Sequence, residues 1–274
     1  MSDFQGRVAI VSGASSGIGE ATAMRLGRDA ADLVLLASPG DREDLSRVEN
    51  QLHAMGARAI TLAADLSEPT TARQAVQTAM TEFGRLDYLV NNAGIIGHHG
   101  FFEETLEEFD RMMAVNVRGA YLLATEAARA MADGGAIVCT ASVSSWLGEE
   151  LQVAYNTSKG AVLMIVRTLG LELAPYGIRV NGVAPGYIRT RMSQARLNGG
   201  GGYWDKARSR IPLDRPGEPD EVANVITFLL SSEASFMYGS VITVDGGQSA
   251  GMRSTDWAAA GQDSAPRPPR RLVS

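Results

Sequence analysis

Tyr155 and Lys159 stand four residues apart, in Tyr155-Asn156-Thr157-Ser158-Lys159, where a helical pattern begins. Residues at that spacing share one helix face, so both side chains project to the same side. The pairing has a chemical use. A phenol with an unperturbed pKa near ~10 is a poor acid at neutrality. A neighbouring ammonium favours the phenolate and draws that pKa down, and a group titrating closer to the working pH is a better general acid and base. Ser142 follows the apolar run Ala136–Ala141 and can hydrogen-bond the same oxygen that the tyrosine protonates. Taken alone, Tyr-x-x-x-Lys is more often a solvated or half-buried helix face than a site.

A second constellation lies near the N-terminus. The run Arg7–Val11 leads into Ser12-Gly13-Ala14-Ser15-Ser16-Gly17-Ile18-Gly19, after which a helical pattern starts. Glycine permits positive φ and the close approach of a phosphate. The free N–H groups and positive dipole of a new helix favour an anion there. The spacing is G-x-x-x-G-x-G rather than the G-x-G-x-x-G of the general dinucleotide fingerprint. An ordinary tight turn is the plain alternative.

Both constellations need a scaffold, and the rest of the chain supplies its pattern. Short apolar runs at Arg7–Val11, Leu33–Leu36, Ala59–Ala63, Tyr88–Asn91, Ala136–Thr140, Arg179–Val183 and Ser240–Val244 read as strands. Most are apolar throughout, which suits strands buried on both faces of a parallel sheet. Between them lie helical stretches at Ile18–Arg28, Asp41–Met55, Thr70–Phe83, Thr105–Met131, Ala154–Leu173 and Pro219–Ser231. Alternation of this kind predicts one doubly wound α/β domain over residues 1–249. The composition shifts at Ala250–Ser274, with the small-residue run Ala258–Gly261 and the Pro/Arg run Pro266–Arg271. That end reads as a disordered or partner-dependent tail.

Composition narrows the function classes. The net charge of −6 lacks the basic face that nucleic-acid binding requires. Cys139 is the only cysteine, so no internal disulfide forms, and its apolar surroundings suit a buried thiol in a reducing cytoplasm. No signal-peptide pattern opens the chain, and no apolar run approaches the ~20 residues of a membrane span. His98 and His99 are adjacent, which is poor spacing for one metal, and no metal site is predicted. Trp146, Leu147, Leu151 and Gln152 lie between Ser142 and Tyr155 and should flank a substrate. Tyr203 and Trp204 follow the glycine run 199–202, which suits either a mobile lid over Gln194–Trp204 or a loose surface loop.

Taken together, these residues resemble the classical short-chain dehydrogenase/reductase family over roughly Gly6 to Gly247. The turn Gly13…Gly17-Ile18-Gly19 is similar to its cofactor motif, and Asn91-Asn92-Ala93-Gly94 to its signature after the fourth strand. Asn116 falls where the family has its catalytic asparagine. Ser142 and Tyr155 stand at the family's separation, followed by Lys159. Pro185-Gly186-Tyr187-Ile188-Arg189-Thr190 resembles the segment that holds the nicotinamide carboxamide, and Asp245-Gly246-Gly247 the end of its last strand.

The resemblance implies a single-domain Rossmann fold with seven parallel strands, and hydride transfer between NAD(P) and a ketone or secondary alcohol. Tyr155 would exchange the proton and Ser142 would orient the substrate oxygen. Lys159 would lower the tyrosine pKa and hold the nicotinamide ribose, and Asn116 would support a water-linked proton path to it. Gly13, Ser15, Ser16, Gly17, Ile18, Gly19, Ser38, Asp65, Leu66, Asn92, Ala93, Gly94, Pro185, Gly186, Ile188 and Thr190 would hold the cofactor. Trp146, Leu151, Tyr187 and Trp204 would line the substrate pocket, which hints at an apolar or cyclic substrate. A homotetramer or homodimer is implied, joined through Thr105–Met131 and Ala154–Leu173, with the tail against a neighbouring subunit or a pocket mouth.

Two alternatives stay open at this point: a dehydratase or epimerase on the same fold, and a catalytically silent cofactor-binding regulator. The complete Asn-Ser-Tyr-Lys set argues against the second. NADP(H) is favoured over NAD(H). Position 37, where an NAD-type site places a carboxylate, is alanine, so nothing there repels a 2′-phosphate. Ser38 can donate a hydrogen bond and Arg42 can supply charge, although Asp41 could reach the ribose if the Pro39-Gly40 turn folds back.

Overall fold

The apolar runs become strands β1 (Val8–Ser12), β2 (Asp32–Ala37), β3 (Ala59–Ala63), β4 (Tyr88–Asn91), β5 (Gly135–Thr140), β6 (Ile178–Pro185) and β7 (Val241–Val244) in a computed structural model. The structure describes residues 3–131, 134–198 and 203–251; the glycine run 199–202 and the tail from 252 lie outside the described residues. All the strands are parallel in one sheet, in the order β3-β2-β1-β4-β5-β6-β7. Alternate side chains of a strand point to opposite faces. In β1, Ala9 and Val11 join a core with Leu26, Leu33, Leu35 and Ile226, while Val8 and Ile10 join one with Val34, Leu89, Leu123 and Ile137. Both faces are therefore apolar, which is why these runs show no polar alternation.

Helices α1 (Gly17–Arg28), α2 (Arg42–Ala54) and α3 (Pro69–Phe83) follow the first three strands. The stretch Thr105–Met131, read from the sequence as one helix, is three pieces. Helix α4 (Leu106–Met113) starts at a Thr105–Glu108 capping box. A π-helical segment, Ala114–Gly119, comes next, and then α5 (Ala120–Ala130). Such π insertions carry an extra residue in the turn and recur at functional sites; this one contains Asn116. Helix α6 (Val153–Glu172) carries Tyr155 and Lys159. Helices α7 (Arg191–Asn198) and α8 (Tyr203–Ser209) precede α9 (Pro219–Leu230). The sequence reading placed a lid hinge in residues 199–202, between α7 and α8, and that hinge falls outside the described residues. No described helix is long and apolar enough to cross a membrane.

The chain winds outward from β1 toward β3, then returns to lay β4 on the other side of β1. The connections diverge above that reversal and leave a crevice at the carboxyl ends of the strands. The glycine turn, the β4 end, the β5 end and the start of α6 all meet there.

Candidate active site

The turn after β1 closes only because two residues lack side chains. Gly13 has φ +69°, and a Cβ on Gly19 would lie 2.0 Å from the Gly13 carbonyl oxygen. Ser16 caps α1 without a side-chain hydrogen bond, so the first-turn N–H groups stay open to an anion. Asn92 locks the turn from the β4 end. Its side-chain amide donates to the Ser12 carbonyl at 3.2 Å, and its own backbone N–H donates to Ser12 Oγ at 2.9 Å.

From Asn92 the network runs to Lys159, which shares a helix face with Tyr155. Thr140 Oγ1 donates to Asn92 Oδ1 at 3.1 Å, and Lys159 Nζ donates to the Thr140 carbonyl at 2.8 Å. Lys159 Nζ lies 5.8 Å from the centre of the Tyr155 ring. Ser142 Oγ accepts from Ser144 N at 3.1 Å, which fixes the serine at the head of a short 3-10 turn. Asn116 joins from the π segment. It exchanges two hydrogen bonds with the Ile95 backbone, at 2.8 and 2.9 Å, and donates to Ser158 Oγ at 3.0 Å.

Burial sets the proton affinities. It lifts the Tyr155 hydroxyl above its ordinary value; the Ser142 hydrogen bond draws it down and Glu149 pushes it up. The sequence reading had Lys159 lowering the tyrosine. In the structure the ammonium donates to the Thr140 carbonyl, and burial is the largest influence on the Tyr155 hydroxyl.

Burial also lowers Lys159 from 10.5 to about 8. An unfolded chain binds more protons there than the folded one between those values. Stability therefore rises with pH across that range and is lost as pH falls through about 8. Cys139, pushed up from 9.0 to about 12 by burial, acts in the opposite sense above pH 9. Lys159→Met should flatten the rise in unfolding free energy between pH 8 and 9, by less than ~1.4 kcal/mol per pH unit, the ceiling for one proton. Urea denaturation of the cofactor-free protein reads this, and an unchanged slope would show that the lysine carries no such cost.

These groups line a cavity of about 570 Å³ that runs along the crevice. Every cofactor residue proposed from the sequence lines it except Gly19, which lies behind the turn. Ser142, Tyr155 and Lys159 also line it, while Asn116 supports the wall from behind. Of the proposed substrate residues, Tyr187 lines the cavity. Trp146 and Leu151 do not, and are 43% and 55% exposed; Trp204 is half-buried away from the lining. Leu151 has φ +64°, an outlier for such a residue. His98 lines the cavity, and His99 turns to Glu108. Asp65 lines the wall and holds Ser67 and Arg111; burial would raise its carboxyl, and those bonds outweigh it.

One residue that sequence reasoning missed is Arg191, the first of α7. Its guanidinium crosses the crevice to Asp41 and to Asp44, the latter at 2.7 Å. Ser38 Oγ donates to the other Asp41 oxygen at 3.3 Å. Arg42, the cation expected here, does not line this cavity. The signal for Arg191 was its place directly after Thr190.

A family profile described as enoyl-(acyl carrier protein) reductase matches residues 13–249. A short-chain dehydrogenase from Burkholderia cenocepacia, solved in complex with NADP, superposes with a TM-score of 0.85 at 36% identity, over 90% of this chain and 99% of that one. This chain belongs to the short-chain dehydrogenase/reductase family. An L-rhamnose 1-dehydrogenase (NAD(P)(+)) of Azotobacter vinelandii is 36% identical over 246 residues, covering 88% of this chain and 96% of the relative. A versicolorin reductase of Emericella nidulans is 37% identical over 254 residues, covering 89% and 96%. The short-chain enzyme described here is an NAD(P)-dependent oxidoreductase. Its crevice fits that cofactor: Cβ atoms at Gly13, Gly17 and Gly19 would strike Asn92, Thr190 and the Gly13 carbonyl, so only glycines let the turn fold tightly enough to present the uncapped α1 N-terminus to a phosphate.

Proposed function

We propose that this enzyme interconverts a ketone and a secondary alcohol, with Tyr155 as the proton donor and acceptor at the substrate oxygen. The observation that carries the reading is the convergence of Tyr155, Ser142 and Lys159 on one cavity wall beside the glycine turn. The nicotinamide cofactor supplies or takes the hydride when bound. Gly13, Ser15, Ser16, Gly17 and Ile18 would hold its phosphates, with Gly19 behind them allowing the turn to close. Asp65, Leu66, Asn92, Ala93 and Gly94 line its adenine and ribose side. Pro185, Gly186, Ile188 and Thr190 hold the carboxamide end. Ser142 orients the substrate oxygen, Lys159 holds the ribose, and Asn116 fixes the Ile95 backbone and Ser158 beside them. A protonated Tyr155 suits carbonyl reduction at neutral pH. Absorbance decay of NADPH with a panel of ketones tests the reading, and a silent cofactor-binding protein would show none.

NADP(H) is the preferred cofactor in this reading. Position 37 itself carries no carboxylate, and Arg191, paired with Asp41 and Asp44, brings a guanidinium to that end of the crevice. Arg191→Gln should raise the KM for NADPH at least tenfold, worth ~1.4 kcal/mol, and change that for NADH far less. An NADH preference in the wild type, with NADPH kinetics unmoved in Arg191→Gln, would assign Asp41 to the ribose hydroxyls instead.

The same reading makes the enzyme a cytoplasmic homotetramer or homodimer, with residues 1–249 as its catalytic domain. Tyr121, Met164 and Leu171 are exposed on α5 and α6, as a subunit contact through those helices requires. Light scattering decides it, and a monomer at assay concentrations counts against it.

A further inference from the structure

Strand β5 ends on a residue whose side chain and backbone serve different partners. The Thr140 carbonyl takes the Lys159 ammonium at 2.8 Å, while the Thr140 hydroxyl donates to Asn92 Oδ1 at 3.1 Å. Thr140 is buried, and both it and Asn92 line the cavity. At the other end of the Asn92 amide, Nδ2 donates to the Ser12 carbonyl at 3.2 Å and to that of Gly13 at 3.5 Å. The same nitrogen lies where a Cβ on Gly13 or Gly19 would come within 2.9 or 2.8 Å of it. It is packed directly against the glycine turn. An amide has two ends of nearly equal size, one a donor and one an acceptor, and its hydrogen-bond partners decide which end faces where. Here two turn carbonyls require the NH2 end. Among the described residues, the Thr140 hydroxyl is the donor that holds the opposite end. Turned over, Oδ1 would meet two carbonyl oxygens.

We propose that Thr140 is a positioning residue for cofactor binding: its hydroxyl sets the orientation of the Asn92 amide, and through that amide the shape of the glycine turn, while its carbonyl serves Lys159 separately. The two roles sit on different atoms, so a substitution can divide them. Valine keeps the branched shape that suits a strand end and keeps the carbonyl that Lys159 uses. It replaces the hydroxyl with a methyl, and Asn92 Oδ1 loses its donor. The amide is then held from the turn side alone, and the turn is held by an amide free to rotate. Serine keeps the hydroxyl and loses only the methyl. The proposal rests on the reading of the glycine turn as the phosphate site.

The test measures NADPH affinity of the full chain by fluorescence titration. Thr140→Val should weaken binding about fivefold, the scale of one hydrogen bond, and Thr140→Ser should bind close to wild type. Thr140→Ala, which puts no methyl against the amide oxygen, takes the place of the valine if that variant does not fold. A double-mutant cycle then separates positioning from general support of the strand. With Asn92→Ala already in place there is no amide to orient, so adding Thr140→Val should change the affinity by less than about twofold. A threonine that only supports β5 would cost the same in both backgrounds, and its loss would not be repaired by serine. Unchanged affinity in Thr140→Val, an equal loss with and without the Asn92 side chain, or a serine variant as weak as the valine overturns the proposal. The reading of the turn fails separately, if Gly19→Ala leaves NADPH affinity untouched.

Discussion

Tyr155→Phe should lower kcat by about 10²-fold or more, the range of general acid catalysis, while cofactor affinity stays near that of the wild type. The change removes one oxygen and keeps the ring, so the packing at the head of α6 is preserved. Tyr155 is the group whose proton is held above neutrality and whose hydroxyl meets Ser142. The lysine is placed differently. Its ammonium is committed to the Thr140 carbonyl, and through Thr140 and Asn92 it is tied to the glycine turn. Single-turnover kinetics at saturating NADPH separate the chemical step from binding. A Tyr155→Phe enzyme with a near-normal rate would remove the tyrosine from the reaction.

Gly19→Ala should do comparable damage at the other end of the crevice. A methyl 2.0 Å from the Gly13 carbonyl and 2.8 Å from Asn92 Nδ2 cannot be absorbed by rotating a side chain, because the first obstacle is backbone. The turn must shift, which moves the open N–H groups at the start of α1. NADPH affinity, read by fluorescence titration, should fall at least tenfold. Overpacking of this kind costs about 1–3 kcal/mol, so the melting temperature should drop by several degrees. Gly148→Ala is the matched control, since a Cβ there meets nothing within 4 Å. A Gly19→Ala protein that binds NADPH like the control would show that the turn tolerates opening.

Much of this was legible in the sequence, for identifiable physical reasons. The β1, β4 and β5 runs could be read because strands buried on both faces must be apolar at every position. Tyr155 and Lys159 could be paired because helix geometry puts residues four apart on one side. What escaped depends on contacts between distant segments. The break at Asn116 exists because its amide reaches the Ile95 backbone, and nothing in Val115-Asn116-Val117 marks an extra residue in the turn. Helix α7 is polar, with no apolar stripe to announce it, and Arg191 gains its meaning only when α7 meets the β2–α2 connection. Of Leu151 and Gln152, both expected beside the substrate, only Gln152 lines the cavity; Leu151 sits in a left-handed backbone that leucine gives no reason to expect.

The crossing of Arg191 to Asp41 and Asp44 has a consequence for the two halves of the crevice. Those ion pairs are half-exposed, so dissolved electrolyte screens them. The Thr140–Lys159 contact is buried, and the part-buried Asn116–Ile95 bonds join uncharged groups, so both hardly feel it. Rising ionic strength therefore loosens the Arg191 end while the end that carries Tyr155 and Lys159 keeps its geometry. Recognition of the cofactor and the chemistry done with it respond to the medium on separate scales, within one continuous cavity.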